Sequence, residues 1–135
     1  MRKETIVGYL GGAFDMFRVD HLDQLIGAHE RCDVLIVGVF TDELIAELTG
    51  KEPVIPFAER LEIVRSMRGA DVTFCQNSEL LSDVWVQVRF DVAFVPHAID
   101  AAHTDYNELA SVGVEVIPLP PGRVTTSALK QYVSI

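Results

Sequence analysis

Residues 34–39 read Val-Leu-Ile-Val-Gly-Val, apolar at every position. A strand with one wet face alternates apolar and polar residues. One that is apolar throughout suits a parallel sheet covered on both faces. Ile6-Val7-Gly8-Tyr9-Leu10 and Val92-Ala93-Phe94-Val95 have the same character, and Val72–Cys75 and Val114–Pro118 complete a set of five. Segments with helical spacing lie between them. His21–Arg31 carries Leu22, Leu25, Ile26 and His29 on one side, and Asp42–Leu48 follows a capping Thr41. Further helices are expected from Pro56 to about Met67, over Leu80–Val88, over 103–111 with Gly113 as terminator, and from about Thr125.

Strand and helix alternate from end to end, which implies parallel βαβ units with right-handed crossovers. The expected fold is therefore α/β: a Rossmann-like, doubly wound, parallel five-stranded sheet with helices on both faces. A chain of 135 residues is the size of one domain, so residues 1–135 are expected to form a single unit. No apolar run approaches the ~20 residues that span a bilayer. Met1-Arg2-Lys3-Glu4 has none of the features of a secretory signal, and cytoplasmic residence is expected. Cys32 and Cys75 are far apart, fit no metal spacing, and are expected to be buried thiols. The net charge of −9 argues against nucleic-acid binding, which rests on phosphate contacts. A small phosphate ligand would need a local basic patch.

Doubly wound sheets bind ligands beyond the C-terminal ends of their strands. After the first strand comes Gly11-Gly12-Ala13-Phe14-Asp15-Met16-Phe17-Arg18-Val19-Asp20-His21-Leu22, which opens a helix. A glycine turn feeding a helix N-terminus offers free N–H groups and a favourable dipole to an anion. It is equally the form of an ordinary tight βα turn.

The longer string is more specific. It is similar to a signature in which Gly-x-Phe-Asp precedes His-x-Gly-His, matched at Gly12, Phe14, Asp15 and His21. Val37–Leu44, Gly50-Lys51 and Ile55–Val64 form a second matching stretch, and Val124–Leu129 a third. In these motifs, from about residue 6 to about 130, the chain resembles the glycerol-3-phosphate cytidylyltransferase branch of the nucleotidyltransferases. The resemblance implies that the phosphate of a small alcohol attacks the α-phosphorus of CTP, pyrophosphate leaves, Mg2+ assists, and the protein is a homodimer. It implies that His21 donates to the α-phosphate and that Lys51 reaches the phosphates. Gly12, Ala13, Phe14 and Asp20 would line the nucleotide, and Arg60 would reach it from the helix after Pro56-Phe57. Thr125, Thr126 and Ser127 would hold the terminal phosphates, with Arg123 beside them. Read on their own, Lys51 is also a solvated loop lysine, Arg60 a partner for Glu59 or Glu62, and Thr125 a plain N-cap.

The chain departs from the signature where the phosphate sits. Arg18 replaces the first histidine and keeps a cation able to clamp a phosphate oxygen. Asp20 replaces the glycine and adds a negative charge. Two like charges ~4 Å apart near a surface repel by roughly 4 kcal/mol, on the order of a thousandfold in rate or affinity. Asp20 is expected to cap the following helix, or to be neutralised by Arg18 or by a bridging magnesium. Pro96-His97-Ala98-Ile99-Asp100 stands where the resemblance implies Gly-Asp-Asp-Trp, and Pro121-Gly122 shortens the later arginine turn. His97, Asp100, His103 and Asp105 fit no compact metal motif and read as solvated polar residues. Two functions follow: a nucleotidyltransferase with an altered site, or a catalytically inactive nucleotide-binding relative acting as regulator or scaffold.

Overall fold

The computed structural model describes residues 5–96 and 106–120. Its elements run β1 (Val7–Gly12), α1 (Val19–His29), β2 (Val34–Phe40), α2 (Asp42–Thr49), α3 (Phe57–Arg65), β3 (Val72–Gln76), α4 (Leu81–Gln87), β4 (Val92–Pro96), α5 (Tyr106–Ser111) and β5 (Glu115–Leu119). The five strands form one sheet in the order β3-β2-β1-β4-β5. Every pairing is parallel. The direction of winding reverses at β1, so a crevice opens above its C-terminal end.

Strand residues alternate between the two faces. Leu10, Leu35, Val37 and Val39 join Leu25, Ala28 and Val64 in one buried cluster. Their neighbours Tyr9, Ile36 and Ala93 join Val84, Phe90 and Leu109 in a second. The first core packs under α1 and α3, the second under α4 and α5. This is the two-sided cover that the apolar run at 34–39 demands.

The elements agree with expectation in kind and differ at their ends. β1 does not stop at Leu10. Gly11 and Gly12 pair with Gly38 and Val39, so the glycines belong to the strand and the turn is 13–18. A buried polar pair explains two of these glycines. The Tyr9 hydroxyl donates to Gln76 Oε1 at 2.5 Å, and Gln76 Nε2 donates to Ser78 O at 2.8 Å. A Cβ on Gly11 would strike Gln76, and one on Gly38 would strike the Tyr9 hydroxyl. Burial holds that hydroxyl's pKa well above the usual tyrosine value.

Thr41 caps α2 as expected, accepting from Leu44 N at 3.0 Å. Pro56 is the extended N-cap of α3 rather than its first turn. Gly50 ends α2 at φ 78°, and Gly113, at φ 88°, follows α5. Cys32 is half-buried and Cys75 is exposed, which corrects the expectation of two buried thiols. Cys75 sits on β3, an edge strand that pairs on one side only, with β2. No helix among the described residues is long and apolar enough to cross a membrane. The helix expected near Thr125 and the set His97, Asp100, His103 and Asp105 lie outside the described residues.

Candidate functional site

The β1–α1 turn has an unusual backbone. Phe14 and Met16 have φ of 52° and 54°. This left-handed region is rarely occupied by residues other than glycine, and strain of this kind clusters at functional sites. Packing offsets the strain. The Phe14 ring is 4% exposed, stacks on Phe17 at 5.9 Å and meets the edge of His21 at 5.7 Å. Phe17 also flanks His21, at 5.5 Å. The aromatic residues therefore anchor the turn from below and fix the plane of the histidine ring.

His21 is the third residue of α1. Its Nδ1 accepts from the Arg18 backbone N–H at 3.0 Å. A neutral imidazole that accepts at Nδ1 carries its proton on Nε2. Burial lowers the His21 pKa below the usual 6.5; the nearby Asp20 carboxylate opposes this, the Arg18 charge reinforces it, and Asp15 opposes it more weakly. The ring is thus a neutral Nε2–H donor at a helix N-terminus.

The structure corrects the expectation that Asp20 caps this helix. Arg18 holds the N-cap position in extended conformation, and Asp20 lies in the first turn. The back-bond from Arg18 N–H to His21 starts the helix before Asp20 can cap it. Asp20 instead forms an ion pair with Arg18, Oδ1 to Nε at 3.5 Å. That Asp20 oxygen is buried and has no hydrogen bond.

Above the turn opens a cleft of about 480 Å³, lined by residues 11–16 with Arg18, Asp20, His21 and Gln24. It gathers six of the expected residues: Gly12, Ala13, Phe14, Arg18, Asp20 and His21. Lys51 is not among the lining residues. It is exposed on the loop after α2. A second cleft of about 550 Å³ lies between α2 and the β3–α4 connection, but Glu47 and Glu79 are its only charged lining residues. Arg123, Thr125, Thr126 and Ser127 lie outside the described residues.

Arg60 departs most from its expected partners. It is 0% exposed. Its guanidinium donates to Ile55 O (2.8 Å), Ala13 O (2.8 Å), Phe40 O (2.7 Å) and Asp42 Oδ1 (2.6 Å). It pairs with neither Glu59 nor Glu62, and its donors are turned into the protein rather than toward the cleft. The reason is that the backbone carbonyls at the ends of three segments converge here and need a buried donor. Sequence reasoning missed Asp42 as that partner. It also left Asp15 without a role, although Asp15 stands in the matched signature. Asp15 accepts the N–H groups of Val54 (2.9 Å) and Ile55 (2.8 Å).

A parallel five-stranded sheet with its switch point at β1, and a strained turn, an arginine and a histidine gathered there, define a Rossmann-like α/β domain with a polar cleft at the strand ends. Within that class the chain belongs to the cytidylyltransferase-like family, whose model matches residues 9–116. It is 33% identical over 133 residues to the bifunctional protein HldE of Granulibacter bethesdensis, covering 96% of this chain and 27% of that protein. It therefore spans about a quarter of that relative's length. With the FAD synthase of Pyrococcus abyssi it shares 35% identity over 115 residues, 82% of this chain and 78% of the relative. A 69-residue stretch is 42% identical to the ethanolamine-phosphate cytidylyltransferase of Dictyostelium discoideum, covering 51% of this chain and 19% of that one. Among solved structures, the lipopolysaccharide core biosynthesis protein of Thermoplasma volcanium superposes with a TM-score of 0.76 at 20% identity, over 87% of this chain and 98% of that one.

Proposed function

We propose that this chain transfers a nucleotidyl group, CMP from CTP, to a small phosphorylated alcohol such as glycerol 3-phosphate. The acceptor's phosphate oxygen attacks the α-phosphorus, the α–β phosphoanhydride bond breaks, and pyrophosphate leaves. The observation that carries this reading is His21: a neutral Nε2–H donor beside Arg18 in the cleft at the switch point. Such a donor strengthens its bond as charge builds on the α-phosphate, and it needs no proton exchange to do so. Arg18 supplies the cation that a net charge of −9 otherwise denies to a triphosphate. Lys51 is proposed to reach the phosphates, and Thr125, Thr126 and Ser127, with Arg123, to hold the terminal ones.

Magnesium is the proposed metal. Among the described residues no group of three or more histidine, cysteine or acidic side chains is placed to hold an ion. The magnesium would be carried mainly by the nucleotide's own phosphates. Asp20 Oδ1, buried and without a hydrogen bond, is the protein oxygen that would hold it. When bound it would neutralise phosphate charge. The proposed working form is a cytoplasmic homodimer.

Asp20 also favours a second reading, a nucleotide-binding relative without turnover. Its carboxylate occupies the cleft and already engages Arg18. Melting temperature with and without CTP, ATP, GTP and magnesium, paired with pyrophosphate release from glycerol 3-phosphate and other phosphorylated alcohols, separates the two. Turnover with CTP is the expected result. A nucleotide-induced shift without turnover establishes the second reading, and neither signal overturns both.

A further inference from the structure

The backbone of Ile55 is gripped from both sides. Its N–H donates to Asp15 Oδ1 at 2.8 Å, and its C=O accepts from Arg60 Nε at 2.8 Å. Arg60 Nη1 returns to Ala13 O, two residues before Asp15. The second Asp15 oxygen holds Val54 N–H at 2.9 Å. Ala13, Asp15, Ile55 and Arg60 thus close a ring of hydrogen bonds between the β1–α1 turn and the loop joining α2 to α3. Arg60 anchors the ring to the end of β2 through Phe40 O, and to the start of α2 through Asp42.

Elsewhere, among the described residues, the loop is tied only at its start, where the Lys51 N–H donates to Thr49 Oγ1 at 3.2 Å and the Thr49 hydroxyl donates to Lys51 O at 3.0 Å. Lys51, Glu52, Val54 and Pro56 are exposed, and Val54 is 70% exposed. Gly50 at its start has φ 78°. A segment with few apolar contacts is ordered by the hydrogen bonds it makes. The same residues, Ala13 and Asp15, line the cleft. The loop's position is therefore referred directly to the cleft floor.

We propose that Asp15 and Arg60 are positioning residues that clasp the 50–55 loop to the cleft floor and so set where Lys51 stands relative to bound triphosphate. The proposal rests on the nucleotidyl-transfer reading of the cleft. Asp15 supplies the fixed anion that seats the loop, and Arg60 ties that seat to the sheet. Preorganising a loop in this way raises affinity because its ordering cost is met before the ligand arrives.

A double-mutant cycle tests it, with CTP–magnesium binding read by calorimetry and trypsin cleavage after Lys51 read without ligand. Lys51→Ala and Asp15→Ala are each expected to weaken CTP binding about tenfold. Together they should weaken it by about tenfold in total rather than a hundredfold, because an unclasped Lys51 contributes nothing further to lose. Trypsin should nick Asp15→Ala at Lys51 faster than the parent chain. Asp15→Asn keeps one acceptor oxygen and is the variant to use should the alanine form not fold; an intermediate cleavage rate and an intermediate affinity are expected of it. Additive losses in the cycle, or an unchanged cleavage rate, overturn the clasp while leaving the transfer reading intact. If the parent chain binds no nucleotide, the transfer reading fails and the clasp's proposed purpose fails with it.

Discussion

At the N-terminal edge of the sheet, three aspartates each sit one residue before a strand and bridge to the strand beside it. Asp33 accepts from Ile6 N at 2.7 Å, Asp71 from Leu35 N at 2.9 Å and Asp91 from Val7 N at 2.9 Å. Each returns its own backbone N–H to the same residue's carbonyl. At the C-terminal edge, Asp15 also accepts backbone N–H groups, but from a loop 39 and 40 residues further along the chain. There Arg60, fully buried, joins four segments. One chemistry serves both edges. The lower edge uses it between neighbouring strands, in exposed, repeated units of which any one can fail alone. The upper edge concentrates it in a single node, and that node borders the cleft. Hydrogen bonding is distributed below and concentrated beside the cleft above.

The comparison breaks most visibly at the node. Arg60→Met should cost about 3 kcal/mol in urea unfolding, because it strands three part-buried carbonyls and the partly exposed Asp42 carboxylate. A loss below about 1 kcal/mol would show that the upper edge is held elsewhere. A smaller effect is expected in the cleft. Measured without magnesium, Asp20→Gly should tighten CTP binding about tenfold in calorimetry, less than an unpaired charge would give, since Arg18 already screens Asp20. It should lower stability by only about 0.3–1 kcal/mol, the worth of an acidic residue in a first helical turn. Equal affinity in the two proteins would remove Asp20 from the phosphate site.

The lower edge is expected to respond less, and to respond in stability alone. Asp91→Ala should cost about 0.5–1 kcal/mol, an exposed hydrogen bond being discounted for water, and should leave nucleotide affinity unchanged. A change in affinity would show that the two edges are coupled. Smallest is the pH effect at His21. Its pKa is lowered in the fold from 6.5, so as pH falls the unfolded chain takes up its proton first. The His21 contribution is therefore full above about pH 7 and declines as pH drops through 6.5 toward the lower folded value. His21→Gln should flatten that part of the stability–pH curve.

Much of this was legible before folding. Apolar runs at 6–10, 34–39 and 92–95 announce buried parallel strands, and Thr41 announces its helix, because both signals depend only on neighbours in sequence. The signature residues Gly12, Phe14, Asp15 and His21 lead directly to the cleft. The glycines were harder. Gly11 looks like a turn signal, yet it is a strand residue, and both it and the strand residue Gly38 are kept small by Tyr9 and Gln76. Asp20 looks like a cap because aspartate favours that position. The back-bond to His21 moved the cap to Arg18.

What the sequence determined by itself is the alternation of strand and helix, the two-sided core and the turn at the end of the first strand. These follow from hydrophobic periodicity and local backbone preference. The tertiary structure alone decided the partners of Arg60, which lie 5, 18, 20 and 47 residues away in four segments. It also decided which nitrogen of His21 bears the proton, and that Asp20 faces Arg18 rather than the helix end. A buried donor is satisfied by whichever carbonyls the fold brings within reach, and sequence spacing carries no record of which ones those will be.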